Sequence, residues 1–293
     1  MWLIAGFILV LIALYWLVPK GTVLHEVLRL PQYWWQLRQI PAHQMIVERY
    51  HYGPQRRQYL LYCRPLKNQM DKKHVIFYFH GGGWAFGSPE MFRAKAQMLI
   101  NQGYHVILPS HRRIPRFQYH HIREDLNLCL LKSLEIMEKY GQKGKKLLLG
   151  GMSAGGNVAA LLAFDRTQHQ QMGLSRDLFG GVLLFGAPID LHYMPRTPIL
   201  WAFAGWRQSN RFQLANPRHH LNGDESLPVF CIHGSHDGMV PLAVAEGFLA
   251  VYPKELITFH LLEKGTHLES GHWSFPDNIN QERLLQWLEK LEQ

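Results

Sequence analysis

Apolar and polar positions divide the chain into two unequal parts. Trp2 to Val18 is one unbroken apolar and aromatic run without a charge. Beyond residue 50, short apolar runs of strand length alternate with amphipathic stretches at helical spacing. Gln58–Cys63 and His74–Phe79 predict strands, Pro89–Gln102 a helix and Tyr104–Leu108 a short buried strand. His121–Tyr140 predicts a long amphipathic helix closed by Gly141. Lys146–Leu149 predicts a strand, Asn157–Phe164 a helix, and Gly181–Phe185, Val229–Ile232 and Leu256–Leu261 further strands. Gln281–Leu291 predicts a terminal helix. Continuous apolar strands alternating with helices imply an α/β fold with a mostly parallel central sheet and helices on both faces.

Two stretches depart from this rhythm. At 1.5 Å per residue, Trp2–Val18 spans about 26 Å, the short end of what crosses a bilayer. Trp2, Tyr15 and Trp16 lie near its ends, where aromatic residues settle at interfaces. It lacks the cationic n-region and A-x-A-like site of a cleaved signal peptide, so residues 1–19 are expected to be a transmembrane helix, a single-pass N-terminal anchor. Lys20, Arg29 and Arg38 follow the span, which leans the main domain towards the cytoplasmic side. In residues 20–49, helical spacing broken by Pro31 and Pro41 predicts two short helices. This amphipathic helical linker or cap segment packs on the main domain or lies at a membrane interface with Trp34, Trp35, Arg29 and Arg38 as anchors. The two readings are compatible, and a segment so placed is also suited to roof an active site. Residues 50–293 form the main domain. Within it, residues 190–224 hold Tyr193, Trp201, Phe203, Trp206 and Phe212 without a clean strand, which predicts a helical cap insertion. Its aromatics line an acyl pocket or form the insertion's own core.

Composition changes this picture little. A chain of 293 residues buries a substantial core as one large domain or two small ones. The net charge of +9 fits ordinary solubility or an anionic membrane surface; without a long Lys/Arg run or a binding motif, nucleic acid is not an expected partner. Cys63, Cys129 and Cys231 are few and lack metal-ligand spacing, so they read as buried thiols. No HExxH or other metal site is visible, and no cofactor is expected.

Candidate chemistry gathers around Leu147–Val158, where an apolar strand ends in Gly150-Gly151-Met152-Ser153-Ala154-Gly155-Gly156 before a helix. Gly151-x-Ser153-x-Gly155 is the nucleophile-elbow pattern: a sharp strand-to-helix turn lifts the serine off the sheet, so its neighbours must be small. Directly after HVIFYF comes His80-Gly81-Gly82-Gly83-Trp84, whose glycines let backbone N–H groups converge on one point, as an oxyanion hole requires.

The HGGGW and GMSAGG elements resemble those of the α/β-hydrolase superfamily, within it the hormone-sensitive-lipase-like esterases and lipases, over roughly Tyr50 to the C-terminus. The N-terminal run resembles that of membrane-bound arylacetamide deacetylases in the same group. The resemblance implies an α/β-hydrolase fold with Ser153 as nucleophile and the amides of Gly82, Gly83 and Ala154 as oxyanion hole. The family order Ser…Asp/Glu…His then points to Asp237, in a loop similar to the family's HGxxDxxVP, and to His267 as base. His272 is the rival base; His236 and His260 read as incidental and structural. The family's acidic DYRLAPE-like stretch is replaced by Pro109-Ser110-His111-Arg112-Arg113-Ile114-Pro115, which leaves the substrate open. His120 and Asp125 have acyltransferase-like HxxxxD spacing but lack that family's companion motifs. The expected function is a membrane-anchored serine hydrolase acting on small-molecule or lipid esters. The alternatives are an amidase or arylformamidase-type N-acyl hydrolase, and a catalytically inactive interaction module on the same fold.

Overall fold

The computed structural model of the chain describes residues 15–67 and 72–293. In chain order the elements are α1 (Val23–Gln39), β1 (Met45–His51), β2 (Tyr59–Pro65), β3 (His74–Phe79), α2 (Arg93–Asn101), β4 (His105–Pro109) and α3 (Tyr119–Lys139). They continue with β5 (Lys146–Met152), α4 (Ala154–Phe164), α5 (Arg166–Gln171), β6 (Phe179–Phe185), α6 (Pro198–Ala204) and α7 (Asn210–Ala215). The remainder is β7 (Val229–Gly234), α8 (Leu242–Leu249), β8 (Ile257–Leu262), α9 (His267–Ser270) and α10 (Ile279–Glu292).

Among the described residues, eight strands form one sheet in the order β1-β2-β4-β3-β5-β6-β7-β8. β1 with β2 and β2 with β4 are antiparallel, and every later pairing is parallel. Alternate side chains feed two cores. Val75, Phe77 and Phe79 of β3 join Leu147 and Leu149 of β5 beneath α3 and α4. Ile76, Tyr78 and Leu148 face the other way, towards α1, α2 and α10. Burial on both faces is why these strands read as unbroken apolar runs. In the central register Phe79 lies beside Gly151, and Met152 beside Phe185. The carboxyl ends of β3, β5 and β6 therefore open at one edge, the usual ligand edge of such a sheet.

The α/β-hydrolase architecture stands; the transmembrane helix does not. Of the run Trp2–Val18, residues 2–14 lie outside the described residues. Among the described residues no helix is long and apolar enough to cross a membrane. The described helix that follows, α1, carries Glu26, Arg29 and Arg38 and buries Glu26, Tyr33 and Leu37 against the body. The expected single-pass anchor and the membrane localisation drawn from it therefore fall.

α1 is also one helix where two were expected. Pro31 removes an N–H that would have bonded the Val27 carbonyl. Both residues lie on the exposed face, where water can satisfy that carbonyl, so the helix runs on to Gln39. The 190–224 segment, between β6 and β7, holds α6 and α7. Phe203 and Phe212 are fully buried in the main core, whereas Trp201 and Trp206 are 51% and 72% exposed.

Candidate active site

The elbow begins where β5 ends. Ser153 has φ 54° and ψ −129°, a region that costs a non-glycine residue roughly 1–3 kcal/mol and persists only when its surroundings hold it. Here the holding is explicit. The Ser153 N–H donates to the Phe185 carbonyl of β6 at 2.8 Å, and its own carbonyl accepts from Gly156 at 2.9 Å and Asn157 at 3.2 Å in the first turn of α4. A Cβ at Gly155 would lie 2.3 Å from the Phe79 carbonyl oxygen and 2.6 Å from that of His80. That close approach lets α4 press against the end of β3, and Ser153 stays partly accessible above it.

The same approach sets the HGGGW loop against the elbow. A Cβ on Gly81 would lie 3.5 Å from the Ser153 Cβ. Gly82, Gly83 and Trp84 have positive φ in succession (128°, 57° and 58°), and the N–H groups of Ala85 and Phe86 close the turn onto the Gly82 carbonyl. Trp84 is held in its strained conformation from two sides. Its Nε1–H donates to Oδ1 of the fully buried Asn157 at 3.2 Å, and its ring stacks on Phe203 of α6 at 4.2 Å and 8°. Asn157 in turn donates to the Pro188 carbonyl at 2.8 Å. His80 is a buried brace for the loop. It donates from Nδ1 to the Gly81 carbonyl at 2.9 Å and stacks on His111, and burial, then the His111 charge, pushes it down to about 3.

Asp237 and His267 meet at the ends of β7 and β8. Nδ1 of His267 donates to Asp237 Oδ2 at 2.7 Å, which leaves Nε2 as the acceptor. Asp237 Oδ1 accepts from the Met239 and Val240 N–H groups at 2.9 and 2.7 Å, and His233 lies 3.6 Å from Oδ2. Burial favours a neutral carboxyl, but the His267 charge and hydrogen bond, then His233, outweigh it and hold Asp237 below the usual carboxylate range. Burial likewise disfavours the His267 cation. Asp237, through charge and hydrogen bond, and then Glu26 outweigh that and raise His267 above an ordinary imidazole.

Gly186, at φ 53°, joins this pair to the elbow. It follows the Phe185 carbonyl that Ser153 bonds, and a Cβ there would lie 3.1 Å from His267 Nδ1 and 3.3 Å from Asp237 Oδ2. Ser153, the glycine loop, Asp237 and His267 thus share one edge of the sheet.

The rival His272 stacks instead on Tyr33 of α1, at 5.8 Å and 9°, and burial with the nearby Lys95 pushes it down to about 4. His236 is exposed beside Ser235, and His260 packs against Phe230. Asp125 is a buried anchor: it accepts from Gln58 Nε2 at 2.8 Å and from Arg112 N and Nε at 2.6 and 2.9 Å. That ion pair keeps the arginine of the substituted Pro109–Pro115 stretch inside the fold, while His120 packs beside His121.

Sequence reasoning missed Glu26. It is fully buried on α1 and accepts from the His267 N–H at 2.7 Å, the Gly238 N–H at 3.3 Å and the Leu268 N–H at 3.4 Å. Its signal was a carboxylate on the same helical stripe as Leu30, Tyr33 and Leu37.

The BD-FAE family model matches residues 62–250. Arylacetamide deacetylase of Mus musculus is 30% identical over 105 residues, 33% of this chain and 25% of that protein. An esterase of Gibberella moniliformis is 26% identical over 196 residues, 59% of each chain. The chain thus matches only a quarter to three fifths of the length of these relatives. Among solved structures, esterase B from Lactobacillus rhamnosis superposes with a TM-score of 0.72 at 21% identity, covering 92% of this chain and 93% of the other. A truncated carbohydrate esterase from gut microbiota gives 0.73 at 16%, covering 86% and 99%. These likenesses bear out the α/β-hydrolase fold and the resemblance to hormone-sensitive-lipase-like esterases. The matched stretch runs from β2 through the elbow and the Asp237 loop to the end of α8, more than half of the sequence, and the chain belongs to the BD-FAE family.

Proposed function

We propose that the protein is a carboxylic ester hydrolase with Ser153 as nucleophile, His267 as general base and Asp237 as the acid that orients it. Amides of Gly82, Gly83 and Ala154 form its oxyanion hole. The observation that carries this reading is the 2.7 Å hydrogen bond from His267 Nδ1 to Asp237, on the sheet edge where Ser153 holds its strained turn. His267 Nε2 takes the proton from Ser153 Oγ as that oxygen attacks the acyl carbonyl, and returns it to the departing alkoxide. Water then enters by the same route, giving up a proton to His267 as it attacks the acyl carbon; His267 passes that proton to Ser153 Oγ as the carboxylic acid departs.

Exposed apolar side chains beside the glycine loop favour an apolar acyl group. Phe86 is 68% exposed, and the Ile199 Cγ2 of α6 lies 3.7 Å from where a Gly83 Cβ would stand. The names of the relatives, an arylacetamide deacetylase and an esterase, both describe removal of an acyl group. The test is fluorophosphonate labelling of the purified protein with Ser153→Ala as control, then turnover of p-nitrophenyl esters of increasing chain length by Ser153→Ala, His267→Ala and His272→Ala. Labelling of the wild type that is lost in Ser153→Ala, with ester turnover lost there and in His267→Ala but kept in His272→Ala, is expected. An unlabelled wild type overturns the enzyme reading, full activity in His267→Ala overturns the base, and N-acyl turnover far above ester turnover selects the amidase.

A further inference from the structure

We propose that Glu26 is a positioning residue: its carboxylate, delivered by α1, ties the loop that carries Asp237 to the loop that carries His267. The proposal rests on the reading of Ser153, His267 and Asp237 given above. Its basis is the set of three backbone N–H groups that converge on one buried carboxylate. Oε1 accepts from Gly238, the residue after Asp237, and from His267 itself; Oε2 accepts from Leu268.

The start of α1 is fitted closely against the acid loop. A Cβ on Gly238 would lie 2.4 Å from the Thr22 carbonyl oxygen, and the Thr22 side chain caps α1 by accepting from the His25 N–H at 3.2 Å. Adhesion alone does not need a charge here. Tyr33 and Leu37 bury α1 through apolar contact, and a leucine at position 26 would add more. A buried carboxylate carries a desolvation cost that only good hydrogen bonds offset, and such bonds are directional. Glu26 therefore fixes where the two loops sit relative to one another, which a greasy contact does not.

Its charge also acts on the imidazole. The charged and titratable groups that act on His267 are Asp237 and His233 from the β7 end and Glu26 from α1. Glu269, on α9 itself, is partnered at 3.7 Å by Lys20. Asp237 and Glu26 raise the His267 pKa, so removing the Glu26 charge makes His267 a weaker base that stays neutral to lower pH.

The experiment is kcat, KM and the pH profile of p-nitrophenyl ester hydrolysis for the full chain, its Ser153→Ala control, Glu26→Gln and Glu26→Asp. Glu26→Gln keeps the shape, removes the charge and turns one acceptor into a donor facing an N–H. It is expected to lower kcat about tenfold with KM within about twofold. The acid limb of kcat/KM should move to lower pH. Glu26→Asp keeps the charge but shortens the reach, so kcat falls while the limb stays nearer to wild type. Should Glu26→Gln fail to fold, the kcat fall at constant KM in Glu26→Asp carries the test. Unchanged kcat and limb in folded Glu26→Gln, or a loss confined to thermal stability, overturns the positioning role. Activity surviving in Ser153→Ala, or none in wild type, overturns the underlying reading and is separately visible.

Discussion

Gly186→Ala isolates the packing between β6 and the His267–Asp237 pair. Two effects add at this position. Gly186 sits at φ 53°, where alanine costs roughly 1–2 kcal/mol more than glycine. The new methyl would also stand 3.1 Å from His267 Nδ1, 3.3 Å from Asp237 Oδ2 and 3.3 Å from His267 Cε1. Those separations are tighter than ordinary van der Waals contact, so the pair must retreat by a few tenths of an ångström. With about a hundredfold loss of rate for 1 Å of misplacement, kcat should fall roughly four- to tenfold. Gly141→Ala supplies the control. At φ 68° it bears the same backbone strain, but nothing lies within 4 Å of the added methyl. Urea unfolding should find Gly141→Ala destabilised by about 1–2 kcal/mol and Gly186→Ala by at least as much, while ester turnover falls only in Gly186→Ala. Equal kcat in the two variants would refute the reasoning, because the contact with the imidazole would then carry no consequence.

Two further outcomes concern stability. Lys95 is fully buried, bonded to the Gly271 carbonyl and to Ser274 Oγ, and burial pushes its ammonium down to about 7. Between that value and its ordinary 10.5 the unfolded chain binds more protons than the folded one. Wild type should therefore gain about 1.4 kcal/mol per pH unit relative to Lys95→Met as pH rises through this window; parallel stability–pH curves for the two proteins would sink the idea. Asn157→Ala strips partners from the Trp84 indole N–H and the Pro188 carbonyl, so it should cost about 2–5 kcal/mol in urea unfolding, and a loss under about 1 kcal/mol would contradict the tether.

What the sequence disclosed follows the range of each interaction. The elbow was legible because strand, small residues, serine and helix are contiguous. β3, β6 and β7 were legible because burial on both faces leaves unbroken apolar runs. β1 escaped notice because it is an edge strand whose Glu48 and Arg49 interrupt the pattern, its burial falling away towards His51. α4 starts three residues earlier than expected because Ala154, Gly155 and Gly156, weak as helix signals, are held there by the Ser153 carbonyl. Lys95 reads as surface in the sequence RAKAQMLIN, yet its partners lie at the far end of the chain. Pairing Asp237 with His267 needed the family order, since no local pattern separates His267 from His272. The Trp2–Val18 run shows the converse hazard: apolar continuity alone suggested an anchor that no described helix supports.

The contacts of Glu26 also impose an order in time on the growing chain. Its partners lie 212 to 242 residues further along. At about 5–20 residues per second, α1 waits on the order of ten to fifty seconds after synthesis before those amides exist. The helix that leaves the ribosome before the rest of the described fold is therefore among the last to make its polar contacts. The two loops it joins acquire their final spacing only when translation has passed Leu268.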